Sequence, residues 1–313
     1  MTETTAQGLV LTRAKQGVLV RDDSGTQHWC RVPGKGKRMG MPVPGDYVDF
    51  KPSTTTKDGF IEAIHDRSSF LERYSYGRKK EIAANIEQLF LLTTIREPVV
   101  SPRLVDRMLV GASIGNMNTT IVLNKTDLFS EDEIERYLAP WRNVYPIHAI
   151  SAMSGEGLAE LESQLRGKVS MLAGASGVGK STVLNALISD LDLDTSAISA
   201  ATDRGVHTTT ATFLYPLPSG GTVADTPGIR EFFPVIDDVK TLALHFPEFA
   251  EYQDQCRFDD CLHLENSAGC AVRDAANSGA IHPDRYTSYL LLRESLIDGP
   301  RRGRKEEAPP PVF

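Results

Sequence analysis

Between Val169 and Thr182 a short apolar run, Val169-Ser170-Met171-Leu172-Ala173, enters Gly174-Ala175-Ser176-Gly177-Val178-Gly179-Lys180-Ser181-Thr182. The run reads as a buried strand, and Val183, Leu184, Leu187 and Ile188 continue at helical spacing. Strand, glycine-rich turn and helix form the context in which G-x-x-x-x-G-K-[ST] is a phosphate-binding loop. Gly174, Gly177 and Gly179 permit backbone angles that side chains forbid, so that successive N–H groups turn inward onto phosphate oxygens. The helix N-terminus adds its partial positive charge. Lys180 is expected to reach the β- and γ-phosphates and the Ser181 hydroxyl to ligate Mg²⁺. A chain built around this stretch is expected to bind a nucleoside triphosphate.

The segment ahead of this loop alternates strands with helices. Glu87-Gln88-Leu89-Phe90-Leu91-Leu92-Thr93-Thr94 and Thr119-Thr120-Ile121-Val122-Leu123 read as strands. Ser101-Pro102 reads as an N-cap and first-turn proline, with Leu104, Val105, Met108 and Leu109 on one helix face. Ser130-Glu131-Asp132-Glu133 reads as a capping box. The alternation predicts a mostly parallel sheet with helices on both faces. The second strand ends in Asn124-Lys125-Thr126-Asp127, and Ser151-Ala152 follows a further apolar segment. A carboxylate at Asp127 can accept both the N1–H and 2-amino protons of guanine, a donor pair adenine lacks. A site built for such a pair rejects the analogue by roughly 10⁴–10⁵. Asn124 and Lys125 are expected to hold the loop and flank the base, and the Ser151-Ala152 backbone to meet the guanine oxygen.

Residues 190–210 lack an apolar period and end in Arg204-Gly205-Val206-His207-Thr208-Thr209-Thr210. A mobile loop ending in threonines suits a switch that meets Mg²⁺ only while the γ-phosphate is present, and Thr209 is the favoured contact. Thr212–Leu217 and Thr222–Asp225 read as a hairpin around Pro218-Ser219-Gly220-Gly221. In Asp225-Thr226-Pro227-Gly228, Asp225 is expected to hold the metal through its water shell and the Gly228 N–H to sense the γ-phosphate. Ile229 stands where Ras-type enzymes place a water-orienting glutamine, which an isoleucine cannot replace. His207 is the candidate for that role, with simple packing under the loop as its alternative.

Residues 8–68 carry short alternating strands, Gly17–Val20, His28–Val32, Asp46–Phe50 and Gly59–Ile64, separated by turn signals. That spacing predicts a small barrel of the five-stranded OB type. Its loop Arg31-Val32-Pro33-Gly34-Lys35-Gly36-Lys37-Arg38 is basic, and the first 80 residues are net positive although the chain as a whole carries −7. Segregated positive charge on a small barrel suits a nucleic-acid backbone, with a merely solvated loop as the alternative. No apolar run reaches the roughly 18 residues of a membrane span. Four cysteines, three of them crowded together, suit a reducing compartment and a metal site. Cys256, Cys261, His263 and Cys270 supply three thiolates and one imidazole, a set that saturates a structural Zn²⁺. Helices are expected at 238–246, 271–278 and 283–296, and the basic, proline-rich end reads as disordered.

N-K-T-D (124–127) and S-A (151–152) precede the phosphate loop (174–181), whereas a standard GTP-binding domain has the reverse order. With the preceding barrel and the following Cys/His cluster, this order resembles the RsgA/YjeQ family of small-ribosomal-subunit-dependent GTPases. The resemblance implies an α/β fold: a circularly permuted P-loop GTPase domain, an N-terminal OB-fold β-barrel and a C-terminal α-helical zinc-binding domain. On this chain the implied parts are an RNA-binding barrel at 1–68, linker and GTPase at 69–235, zinc domain at 236–298 and tail at 299–313. It further implies slow GTP hydrolysis to GDP, stimulated by the small ribosomal subunit and its rRNA during late subunit maturation. The expected protein is cytoplasmic and monomeric. Val206 and the spacing from His263 to Cys270 depart from the family pattern. The rival reading is a nucleic-acid-binding module with a regulatory nucleotide pocket and little turnover. Because the Cys/His module follows the second switch, nucleotide loading is expected to reposition it relative to the barrel.

Overall fold

The computed structural model describes residues 5–33, 40–53, 58–75, 78–188, 212–226 and 232–297. Strands β1 (Ala6–Ala14), β2 (Gly17–Asp22), β3 (Gln27–Arg31), β4 (Tyr47–Lys51) and β5 (Gly59–Ile64) run in the order β1-β2-β3-β5-β4. β4 returns to pair with β1, closing the barrel, and the β3–β5 pairing alone is parallel. That is OB-fold connectivity. Val10, Val18, Val20, Val48, Phe50, Ile61 and Cys30 fill its interior. Burial pushes the Cys30 thiol up to about 12, so it acts as a small apolar core residue. β1 is absent from the four strands read from the sequence. Its run Leu9-Val10-Leu11 is buried on both faces, Val10 inside the barrel and Leu9 and Leu11 in the core shared with the main sheet. Two-sided burial erases the alternation by which a strand is recognised.

The first part of the segment expected as linker and GTPase holds a hairpin, β6 (Phe70–Ser75) with β7 (Arg78–Ala84). Leu71, Ala83 and Ala84 bury one end while Arg78, Lys79 and Lys80 project at the other. The main domain follows as β8 (Gln88–Thr93), α1 (Pro102–Ile114), β9 (Asn118–Leu123), α2 (Glu131–Leu138), β10 (Ile147–Ala149) and α3 (Leu158–Leu165). It continues through β11 (Val169–Gly174), α4 (Lys180–Leu187), β12 (Phe213–Pro216) and β13 (Thr222–Asp225). The sheet order is β10-β9-β8-β11-β13-β12, parallel except for β12. Central β8 and β11 are nearly continuous buried apolar runs, as strands covered on both faces require. Pro102 stands in the first turn of α1, but the Ser101 side chain makes no capping bond. Both halves of the Ser130–Glu133 capping box are present. Thr12 pairs with Phe213 and its hydroxyl donates to the Thr212 carbonyl at 2.8 Å, which joins barrel and main sheet.

The C-terminal part holds a 3₁₀ helix (Val239–His245), a second 3₁₀ turn (Pro247–Phe249), α5 (Ala250–Gln253), α6 (Ala271–Ser278) and α7 (Pro283–Ile297). Phe246 is extended ahead of Pro247, so the expected α-helix at 238–246 is confined to a short, tight one. Tyr286, Tyr289 and Leu292 of α7 pack with Phe246, Phe249 and Val272 in a separate core. Among the described residues no helix is long and apolar enough to cross a membrane. The tail at 299–313 lies outside the described residues.

Candidate nucleotide and metal sites

The recognised motifs collect where the parallel strands end at their carboxyl edge, the place where open α/β sheets bind ligands. Asn124 follows β9, Ser151 follows β10, Gly174 ends β11 and Asp225 ends β13. Asn124, 1% exposed, ties three of these loops together. Its Nδ2 donates to the Val178 carbonyl of the phosphate loop at 2.8 Å. Its Oδ1 accepts from the Ala152 N–H at 3.0 Å. A Cβ on Gly179 would lie 2.2 Å from that same Nδ2, and the φ there is +98°, so position 179 demands glycine. Residues 124, 152 and 174–182, distant in sequence, thus share one lip of the sheet.

Within the phosphate loop Val178 is buried as an anchor, whereas Ser176 and Gly177 form an open rim and Ala175 is half-buried. Ser181 is half-buried and Thr182 exposed in the first turn of α4. Lys180 Nζ folds back onto the carbonyls of Gly174, at 3.0 Å, and Ala175, at 2.9 Å. Burial lowers its pKa, opposed by the charge of Asp225. Among the described residues Asp225 Oδ1 is buried with no hydrogen-bond partner, and burial lifts its pKa to about 6, with Lys180 pulling the other way. An orphaned carboxylate oxygen beside the phosphate loop is a donor that a hard cation such as Mg²⁺ satisfies. The Thr226 hydroxyl fixes the strand end through the Leu172 carbonyl at 3.0 Å. His207, Thr209 and Gly228 lie outside the described residues.

In the loop expected to read guanine, Lys125 has a φ of +68° and opens the 3₁₀ turn Thr126–Leu128. Asp127 is exposed on that turn, while the Thr126 N–H donates to the Ile150 carbonyl at 3.2 Å. Ser151 is fully buried and its hydroxyl accepts from the Ser154 N–H at 3.2 Å. Sequence reasoning missed the connection from β8 to α1. Pro98 sits against the phosphate loop, where a Cβ on Gly177 would lie 3.2 Å from its Cδ. No motif marks that connection, because its role depends on which loop it crosses.

The ligand atoms of Cys256, Cys261, His263 and Cys270 all lie within 4.8 Å of one another. His263 Nδ1 is 3.6 Å from the sulfurs of both Cys256 and Cys270. The longer spacing before Cys270 is taken up by Arg273, whose guanidinium donates to the Ser267 and Glu265 carbonyls at 2.7 and 3.1 Å. Cys270 Sγ accepts from the Arg273 N–H at 3.3 Å and so caps α6. Tyr286 and Tyr289 hold the carbonyls of His263 and Leu262 at 2.9 and 2.8 Å. Burial lifts the Cys270 thiol to about 12, with the neighbouring cysteines adding to the rise. Three thiols and an imidazole this close together fit a tetrahedral Zn²⁺, which relieves that burden by binding the thiolates.

The family model described as RsgA GTPase matches residues 64–233. The small ribosomal subunit biogenesis GTPase RsgA of Chlorobaculum parvum is 39% identical over 307 residues, covering 93% of this chain and 98% of that one. The protein of the same name from Bacteroides fragilis is 34% identical, covering 95% and 99%. The crystal structure of YjeQ from Thermotoga maritima superposes with a TM-score of 0.74 at 32% identity, covering 96% of this chain and 100% of that one. YloQ, described as a circularly permuted GTPase, gives 0.71 at 27% identity over 95% and 97%. The strands that lead into N-K-T-D and S-A come before the phosphate-loop strand in the chain yet lie in the same sheet, and with these likenesses that arrangement makes the chain a member of the RsgA GTPase family.

Proposed function

We propose that this chain hydrolyses GTP to GDP and phosphate, is stimulated by the small ribosomal subunit, and acts in late maturation of that subunit. The observation that carries the reading is Asn124, whose two hydrogen bonds draw the guanine-reading, S-A and phosphate loops into one pocket. The names of the relatives support the ribosomal assignment. Asp127 selects guanine, Lys180 and residues 174–179 hold the phosphates, and Ser181, Thr209 and Asp225 keep Mg²⁺ in place, which supplies charge neutralisation at the phosphates when bound. The Gly228 N–H senses the γ-phosphate and His207 orients water. The barrel, residues 1–68, holds rRNA, and residues 236–298 form a second grip braced by Zn²⁺. The protein works as a cytoplasmic monomer.

Phosphate release from GTP and from ATP, with and without purified small ribosomal subunits, tests the reading. Guanine selectivity, strong stimulation by subunits and loss of both with Lys180→Ala are expected. Turnover that subunits leave unchanged assigns the chain to the nucleic-acid-binding class with a regulatory pocket.

A further inference from the structure

Lys125 belongs to the guanine-reading motif, yet its ammonium donates to the Glu97 carbonyl in the connection between β8 and α1. That connection is fastened on two sides. The Thr94 hydroxyl donates to the Arg96 carbonyl at 3.0 Å. The Arg96 guanidinium donates to Glu133 Oε1 at 2.9 Å and to the Leu128 carbonyl at 3.4 Å, and lies 5.2 Å over the Phe129 ring. Glu133 also closes the α2 capping box, so its carboxylate is already fixed when Arg96 meets it. On the opposite side Pro98 abuts Gly177 on the rim of the phosphate loop.

We infer that residues 96–98 are a wall of the nucleotide site and that Arg96 is a positioning residue for it. Pinned to Leu128 and Glu133, Arg96 holds the Glu97 carbonyl where it fixes Lys125, and Lys125 in turn flanks the base. This strap joins the two halves of the pocket, base-reading and phosphate-holding, through contacts separate from those of Asn124. Its effect is to slow release of guanine nucleotide. The inference rests on the guanine-nucleotide reading above.

The test is release of a fluorescent GDP analogue, chased with excess GDP, from the full-length, zinc-replete protein. Arg96→Ala removes an exposed ion pair and a cation–π contact, and is expected to speed release by roughly three- to tenfold. The thermal midpoint measured without nucleotide should stay near that of the parent. Arg96→Lys keeps the charge but loses the planar fork and stacking, and is expected to release at an intermediate rate. Release from Arg96→Ala within about twofold of the parent, below the effect of one such contact, overturns the inference. If Arg96→Ala unfolds, parental release from Arg96→Lys does the same. Failure of the parent itself to hold the GDP analogue would instead count against the nucleotide reading.

Discussion

Asp225 carries a burial cost that can be read from its titration. Burial lifts its pKa from 3.8 to about 6. Between those values the folded chain keeps a proton that the unfolded chain has released, so stability from this group falls as pH rises through the window. Above about pH 6 the ionised carboxylate costs on the order of 2–3 kcal/mol, a cost that a bound cation removes. Asp225→Asn is therefore expected to raise the thermal midpoint of the nucleotide-free protein near pH 7.5, with a smaller gain near pH 5. An equal gain at both values, or none, would show that desolvation does not govern this side chain. The carboxylate's place in D-T-P-G was legible in the sequence because the motif is local. Its isolation was not, because that depends on which strands cover it.

At the scale of elements, α1 is the helix on which several others converge. Val105, Met108 and Leu109, readable as an apolar stripe, face the main core. Its other sides are buried as well: Val110 joins the C-terminal core, Ser113 meets His245 at 3.0 Å, and Arg107 stacks 4.9 Å over Phe233. Asp106 and Arg107 look like a solvated face in a one-dimensional pattern, because nothing nearby announces partners more than a hundred residues away. The capping box of α2 and the alternation of β2 to β5 were legible because each is complete within a few residues. Gly111 makes the convergence testable. A Cβ there would lie 2.4 and 2.6 Å from Phe232 Cε1 and Cζ. Gly111→Ala is expected to destabilise by about 1–3 kcal/mol through overpacking. In a Phe232→Ala background the space is open, and the same change should become neutral or stabilising by up to about 1 kcal/mol through helix propensity. Urea denaturation of the four proteins measures this coupling, and a Gly111→Ala effect that keeps its sign and size without the Phe232 ring would remove the contact as its cause.

For the whole molecule, the question is how the zinc-binding part is held against the GTPase domain. Arg285 of α7, 1% exposed, pairs with buried Asp106 of α1 and reaches Glu248 through Nε at 2.6 Å. Trp141 Nε1 donates to the same Asp106 carboxylate at 2.7 Å, and the Phe246 ring lies 4.7 Å from the guanidinium. Breaking such a buried cluster by removing one partner costs about 3–5 kcal/mol, because the remaining charges stay desolvated. A repositioning of the zinc-binding part that separated α7 from α1 would meet that cost in full. Nucleotide-driven motion should therefore carry α1 and α7 together, with the change taken up against the barrel, where among the described residues β1 and β12 share one paired position beside the buried Leu9 and Leu11. The chain from residue 232 onward supports this: the Phe233 carbonyl accepts from the Tyr74 N–H at 2.9 Å and Asp237 pairs with Lys79, so its path to the zinc-binding part is also fastened to the hairpin. Arg285→Leu is expected to release the module from this constraint. By hydrogen exchange, α7 and residues 239–249 should lose protection while the barrel strands keep theirs. Zinc chelation should instead expose residues 256–270 and leave α1 protected, since the four ligands brace their own loop and its contacts with α6 and α7 rather than the Asp106–Arg285 attachment to α1. If both treatments melt the same residues, the ion cluster and the metal site form one cooperative unit, and α1 is not the separate point of attachment inferred from its contacts.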